Sequence, residues 1–87
     1  MKRKMRNVHP GEILKMELVL GRKFSVSKIA EMLSTKNSEI SNILNSRAVI
    51  SPTMALKLEA VFGGKADFFM RLQINYDLEK AQKKFKF

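Results

Sequence analysis

The sequence predicts an all-α protein, a bundle of five helices. Apolar residues recur at intervals of three and four along five stretches of the 87-residue chain, and the period of two that marks strands is absent. Capping residues and glycines separate the stretches. A chain of this length forms one domain. We therefore predict a single domain over residues 1–87, with a basic leader at 1–8 and a basic tail at 81–87.

The first predicted helix is HPGEILKMELVLG, residues 9–21. Pro10 suits the first helical position, where no N–H is needed, Glu12 suits the positive end of the helix dipole, and Gly21 is a stop signal. His9 is the only histidine, so it cannot build a metal cluster. We expect it to cap this helix rather than to take part in catalysis.

The second and third predicted helices are short and lie close together in the chain. Ser25 can cap SVSKIAEML, residues 25–33, and NSEISNILN follows at 37–45. The link from Ser34 to Lys36 is only three residues long. Two short helices across a tight turn are the elements of a helix-turn-helix.

The fourth predicted helix follows a loop, NSRAVI, and the fifth follows a pair of glycines. Ser51 can cap SPTMALKLEAVFG, which ends at Gly63-Gly64, and Asp67 can cap FFMRLQINYDLEKAQKK. Helical spacing predicts an inward face for each of these helices. The predicted inward residues are Ala55, Leu58, Val61 and Phe62 in the fourth helix, and Phe68, Phe69, Leu72 and Tyr76 in the fifth.

The helix-turn-helix requires a small residue where its two helices cross and apolar residues at fixed offsets around it. Ala30 is the small residue here. Ser34 stands where glycine is usual, because the backbone favours a positive φ there, so we expect strain at Ser34. Thr35 stands at a position that is usually apolar. The predicted motif core consists of Ile29, Ala30, Leu33, Ile40 and Ile43.

The outward face of the third helix is rich in short hydrogen-bonding side chains, which are poor helix formers. Such side chains can bond base edges in the major groove, and asparagine can grip adenine with two bonds. The alternative is a merely solvated helix face. We predict base contacts from Lys36, Asn37, Ser38, Ser41, Asn42 and Asn45, and phosphate contacts from Ser25, Ser27, Lys28 and Arg47.

The charge of the chain points to a polyanionic partner. Seventeen Lys and Arg against eight Asp and Glu give a net charge of +9, and residues 1–47 carry ten of the basic and four of the acidic side chains. The chain has no cysteine, so disulfides and thiolate metal sites are excluded. No metal, no cofactor and no enzymatic activity are expected. The absence of a signal-peptide or membrane-spanning stretch predicts a cytoplasmic protein with no membrane partner.

Four sequence blocks together resemble the HigA-type antitoxins of the Xre family of helix-turn-helix regulators. The blocks are HPGEIL, SKIAEML with ISNILN, ISPTMALKLEAVFG and FFMRLQINYDL, and they cover about residues 8–80. The resemblance implies a lambda-repressor-like DNA-binding domain in a type II toxin-antitoxin system. It implies a homodimer that binds a pseudo-palindromic operator on double-stranded DNA, represses its own operon, and neutralises a RelE-like toxin that cleaves mRNA.

The chain departs from the family pattern at several positions besides Ser34 and Thr35. Val26 stands where glutamine often holds a phosphate, Lys36 stands where Ser or Thr often caps the recognition helix, and Ser46 replaces a frequent glycine. With Lys36 in the capping position, the cap falls to Asn37 or Thr35. These departures leave an alternative open, namely a protein-interaction module that inhibits a toxin without useful DNA binding.

A second alternative, a single-stranded RNA binder, follows from charge alone. It is disfavoured because most of the seven aromatic residues fall at inward helix positions, where they cannot stack on bases. Phe85 and Phe87 lie beyond the periodic part of the last predicted helix. They either dock on a second subunit or a toxin, or belong to a frayed end.

Overall fold

The computed structural model describes residues 8–85, and its regular structure there is entirely helical. The all-α prediction is confirmed for this part of the chain, and none of its helices is long and apolar enough to cross a membrane. The leader side chains Lys2, Arg3, Lys4 and Arg6, and Phe87 in the tail, lie outside the described residues. The helices are α1, Pro10–Leu14, continued by a π-helical segment, Lys15–Gly21; α2, Val26–Met32; α3, Asn37–Leu44; α4, Pro52–Phe62; and α5, Ala66–Phe85.

The first helix ends at Gly21 as predicted, but it widens after Leu14. In the segment Lys15–Gly21 the backbone follows the i→i+5 pattern, and the N–H of Arg22 closes it by donating to the carbonyl of Glu17 at 3.0 Å. Leu14 and Leu18 remain buried through the change of winding. The sequence gives no signal for this widening, because the apolar spacing fits both windings.

The predicted serine caps are confirmed. The Ser25 hydroxyl accepts the N–H of Lys28 at 3.1 Å, and the Ser51 hydroxyl accepts the N–H of Met54 at 3.2 Å. Each bond satisfies one of the N–H groups that a helix start leaves without an intrahelical partner. At the other end of α4, Gly63 has a φ of 90°, a conformation open to glycine and strained for other residues.

The predicted cap of α5 is wrong. Asp67 lies within the first turn of the helix and forms an ion pair with Arg71 at 3.0 Å. The capping carboxylate comes instead from α4, because Glu59 Oε1 accepts the N–H of Ala66 at 2.8 Å. A contact between two helices across the glycine turn thus replaces the local cap that the sequence suggested.

The core lies where α1, the motif helices and α4 converge, with one aromatic ring from α5. Val61 and Phe68, which we predicted to point inward, are 40% and 46% exposed. Phe68 and Phe69 are about 100° apart around α5, so only one of them can enter the core. The buried apolar residues are Leu14, Leu18, Ile29, Ala30, Leu33, Ile40, Ile43, Leu44, Ile50, Met54, Ala55, Leu58 and Phe69.

Gln73 on α5 is buried, a position that the apolar pattern missed. Its side-chain oxygen accepts the backbone N–H of Ile50 at 2.9 Å, and its amide nitrogen donates to Asp77 at 3.1 Å. A buried N–H without a partner costs about 1–3 kcal/mol. Gln73 therefore holds the loop after α3 against α5.

His9 caps α1 as predicted, and it is also part of the core. Nδ1 accepts the N–H of Gly11 at 2.9 Å, so the proton of the neutral ring lies on Nε2. The ring meets Tyr76 edge-on, with centroids 4.9 Å apart. Burial lowers the pKa of His9, while a hydrogen bond to the Ala48 backbone raises it by less. The neutral imidazole thus joins α1 to α5 and to the loop after α3.

Gly11 brings α1 against the end of α3. A Cβ at this position would overlap the carbonyl oxygen of Ile43 and would lie 2.9 Å from its carbonyl carbon. The carbonyl is fixed in place because it accepts the N–H of Ser46 at 3.0 Å. Only glycine therefore permits this approach of the two helices.

Gly11→Ala is expected to destabilise the protein by about 1–3 kcal/mol through overpacking against Ile43. Helix propensity alone predicts the opposite sign, because alanine is about 1 kcal/mol better than glycine inside a helix. Urea unfolding measures the change. Gly21→Ala is the matched control, since its Cβ would meet only the Met16 carbonyl, at 3.2 Å. Equal stabilities of the two variants would contradict the close contact.

Lowering the pH is expected to destabilise the protein through His9. Because burial lowers its pKa in the fold, the unfolded chain binds the proton first, and stability falls as the pH drops below about 6.5. Once the pH passes the lowered pKa, this loss stops growing.

To test this, the pH dependence of the unfolding free energy is measured for the wild type and for His9→Asn. The variant keeps a capping oxygen but has no titrating ring. The variant is less stable throughout, but its unfolding free energy should fall less between pH 7.5 and pH 5 than that of the wild type. Carboxylates common to both proteins cancel in this difference. Parallel pH profiles would contradict the role of the neutral ring.

Candidate nucleic-acid interface

The five predicted motif-core residues are all buried where α2 packs against α3. Ala30 is 1% exposed where the two helices meet, and its lack of a larger side chain lets them approach. The other four core residues are at most 3% exposed. They are Ile29 and Leu33 at the inner face of α2 and its end, and Ile40 and Ile43 on α3.

Ser34 adopts the left-handed conformation that we predicted, with a φ of 56°. Its N–H donates to the Glu31 carbonyl at 3.1 Å, and the N–H of Thr35 donates to the Ala30 carbonyl at 2.9 Å. These two bonds form a Schellman motif, which ends α2 and satisfies its last carbonyls. The turn therefore has the backbone geometry that is common at helix ends, but with serine in the position that glycine usually occupies.

The end of α3 repeats this arrangement at Ser46. Its φ is 61°, its N–H donates to the Ile43 carbonyl at 3.0 Å, and the N–H of Arg47 donates to the Asn42 carbonyl at 2.7 Å. Glycine is the common residue in such a position because it has no Cβ to strain. Both serine departures therefore occur where the backbone is left-handed.

The start of α3 differs from what we predicted. Lys36 is the N-cap residue, and its side chain makes no capping bond. Neither Thr35 nor Asn37 caps: the Thr35 hydroxyl donates to the Glu39 carboxylate, and the Asn37 amide donates to the Ser27 hydroxyl at 2.9 Å. The first N–H groups of α3 thus have no side-chain cap, beside an exposed lysine.

The candidate base-contacting side chains lie on one side of α3, away from the core. Ser41 is half-buried, and the others are exposed. The Asn45 amide bonds back to the Ser41 carbonyl at 2.9 Å, while Asn37 is joined to α2. Within residues 8–85, the side chains of Ser38 and Asn42 have no hydrogen-bond partner. The face therefore holds two polar groups ready for an external partner and two asparagines that also brace the motif.

The candidate phosphate contacts surround this face. Lys28 and Arg47 are exposed cations near the start of α2 and just after α3. Ser25 and Ser27 each accept a bond from the protein, so each hydroxyl keeps its proton for donation to an anion. Val26 lies between them, half-buried and packed on the core, where it offers no polar group.

Three comparisons with known proteins agree on the kind of domain. The helix-turn-helix family profile matches residues 14–69. Virulence-associated protein I of Dichelobacter nodosus is 35% identical over 81 residues, which cover 93% of this chain and 75% of that protein.

The solved structures show the same fold. An addiction module antidote protein of the HigA family from Coxiella burnetii is 39% identical, with a TM-score of 0.84 over 92% of this chain and 87% of its own. The antitoxin HigA of Pseudomonas aeruginosa, determined with the higBA promoter, is 33% identical, with a TM-score of 0.85 over 91% of this chain and 86% of its own.

Ser34→Gly is expected to stabilise the protein by about 0.5–1 kcal/mol, because removing the Cβ strain outweighs the entropy that glycine adds to the unfolded chain. Thermal and urea unfolding measure the change. The matched control is Ser38→Gly on α3, which should destabilise by about 0.5–1 kcal/mol because its site is helical. A loss of stability in Ser34→Gly would contradict strain in the turn.

Proposed function

The chain belongs to the HigA-like antitoxins of the Xre-type helix-turn-helix family, and from that membership we propose that it is a sequence-specific DNA-binding repressor that acts as the antitoxin of a type II toxin-antitoxin system. It binds an operator in the promoter of its own operon and represses transcription there. It also binds and neutralises a RelE-like toxin that cleaves mRNA.

The polar face of α3 is the observation that carries DNA binding. Ser38 and Asn42 present hydrogen-bonding groups with no partner in residues 8–85, on a helix fixed from behind by buried side chains. An Asn amide pairs with adenine through one donor and one acceptor, which is the pattern displayed in the major groove. Lys36, Asn37, Ser41 and Asn45 extend the reading face along the helix.

Phosphate contacts would set the register of α3 in the groove. Lys28 and Arg47 supply charge on two sides of the face, and the hydroxyls of Ser25 and Ser27 supply neutral donors. The net charge of +9 supports a polyanionic partner for the chain as a whole.

The proposed operator complex is a homodimer on a pseudo-palindromic site. Two copies place their α3 helices in successive major grooves, about 34 Å apart along the DNA. The antitoxin HigA determined with promoter DNA and a related protein determined with its operator DNA, both from Pseudomonas aeruginosa, support this placement of the fold on a duplex.

The toxin-binding role rests on the family rather than on the reading face. HigA-family antitoxins are the structural relatives of this chain over more than nine-tenths of its length. Val26 favours a second candidate, a toxin-binding module without useful DNA affinity, because this residue packs on the core where a phosphate-binding side chain often stands. The two candidate functions predict different effects on DNA affinity when residues on the polar face of α3 are substituted.

Asn42→Ala is expected to weaken binding to the promoter DNA upstream of the chain's own gene by about 1–3 kcal/mol, through loss of a two-bond contact to a base. Electrophoretic mobility shifts at one fixed salt concentration measure specific binding against random DNA. Affinity for random DNA should stay unchanged. Leu56→Ala, at a 61% exposed position on α4, is the control for loss of a surface side chain.

Asn45→Ala extends the same series. Because the Asn45 amide bonds back to α3, its removal should weaken specific binding less than removal of Asn42. All these variants should still rescue growth when co-expressed with the partner toxin. Unchanged promoter affinity in Asn42→Ala, together with intact rescue, would favour the interaction module.

A further inference from the structure

Glu39 is the one acidic residue between Glu31 and Glu59, a stretch that contains the turn of the motif, α3 and the loop after it. It is exposed and lies in the first turn of α3. In a helix-turn-helix, the N-terminal residues of the second helix are the ones that contact base edges. The phosphates of DNA repel a carboxylate at this place, so the carboxylate needs a specific partner on the DNA to offset the repulsion.

Glu39 borders the polar face of α3 on the side away from α2. Successive residues are about 100° apart around an α-helix, so Asn37 and Glu39 lie on opposite flanks of that face. The Asn37 amide donates to Ser27 on α2 and therefore marks the flank next to α2. Glu39 is on the open flank, between Ser38 and Asn42 in the chain, where an external partner can reach its carboxylate.

Thr35 holds the carboxylate of Glu39 through a hydrogen bond from its hydroxyl to Oε1. Thr35 is half-buried, its N–H donates to the Ala30 carbonyl, and its β-branched side chain has few χ1 rotamers. Within residues 8–85, no cation pairs with Glu39 and no other hydrogen bond reaches it. Its second carboxylate oxygen is thus held beside the polar face and remains available as an acceptor.

A carboxylate in the major groove selects among bases because it can only accept hydrogen bonds. Guanine and thymine present acceptors in this groove, and adenine presents its N6 amino donor beside the acceptor N7. Cytosine presents the N4 amino donor with no acceptor next to it on its own ring. Glu39 therefore favours cytosine, whereas the serines and asparagines of α3 can both donate and accept.

We propose that Glu39 is a specificity-determining residue, which accepts a hydrogen bond from the N4 amino group of one cytosine in each half of the operator, and that Thr35 positions its carboxylate. The proposal rests on the DNA binding of the proposed function and specifies one base of the target. It also gives a task to Thr35, which stands where an apolar residue is usual.

Selection of binding sites by the full chain from a pool of randomised DNA duplexes tests the assignment. The wild type should enrich sites with cytosine at one position in each half, and thymine in its place should weaken binding about tenfold. Glu39→Gln should lose this preference and favour adenine there, because a glutamine amide pairs with N6 and N7 of adenine. Preferences at the other positions should not change. A cytosine preference that survives in Glu39→Gln would overturn the proposal.

Glu17→Gln is the matched control for charge, because Glu17 is exposed and lies in the first helix, outside the motif. Both substitutions raise the net charge by one, so both should tighten binding to random DNA to a similar extent. Only Glu39→Gln should alter the selected sequence. Identical selected sequences for the two variants would show that Glu39 acts through its charge alone, against the proposal.

Thr35 is tested as a positioning residue by two variants. Thr35→Val removes the hydroxyl and keeps the branched shape, and it should reduce the preference for cytosine about threefold. Thr35→Ser keeps the hydroxyl and should retain the preference. Circular dichroism confirms that each variant is folded. If Thr35→Val loses stability but keeps the full base preference, the pair only stabilises the start of α3, where a carboxylate favours the helix dipole, and the positioning role is overturned.

Failure of this proposal can be distinguished from failure of DNA recognition. If the wild type enriches a sequence that Asn42→Ala changes and Glu39→Gln does not, the operator function stands and the reading of cytosine by Glu39 is wrong. If the wild type enriches no sequence at all, both are wrong.

Discussion

The contact on which the whole arrangement depends is the approach of α1 to the end of α3, with Gly11 against the Ile43 carbonyl. This contact sets how closely the first helix packs against α3. His9 and Pro10 prepare the approach, since one caps α1 and the other starts it with no N–H to satisfy. The HPG sequence is therefore a packing motif, and its three residues have three separate physical tasks.

The loop after α3 is held in place by buried hydrogen bonds. Ala48 bonds His9, and Ile50 donates to Gln73, so the loop is tied to α1 and to α5 at once. These bonds are buried, where an unmade hydrogen bond is costly. They hold the C-terminal end of α3 while the outward face of that helix stays exposed. A rigid support behind an exposed polar face is what selective contact with a base edge requires.

At Ser34 and Ser46, tertiary packing holds a serine in a backbone conformation that glycine usually adopts. Ser34 and Ser46 both hold left-handed backbone at the ends of motif helices, and both turns close with the full pair of Schellman bonds. Tertiary packing overrides the preference for glycine because the helices on either side are already placed by buried contacts. The departures thus change the stability of the motif more than its geometry.

The sequence by itself determined the all-α class, the serine caps, the buried motif residues and the left-handed turn at Ser34, because each follows from spacing or from short-range bonding along the chain. The tertiary structure alone decided the cap of α5 by Glu59, the burial of Gln73, the exposure of Val61 and Phe68, and the division of the α3 face into bracing and available side chains. These features depend on which groups from distant segments meet, and helical periodicity carries no information about a partner outside its own helix.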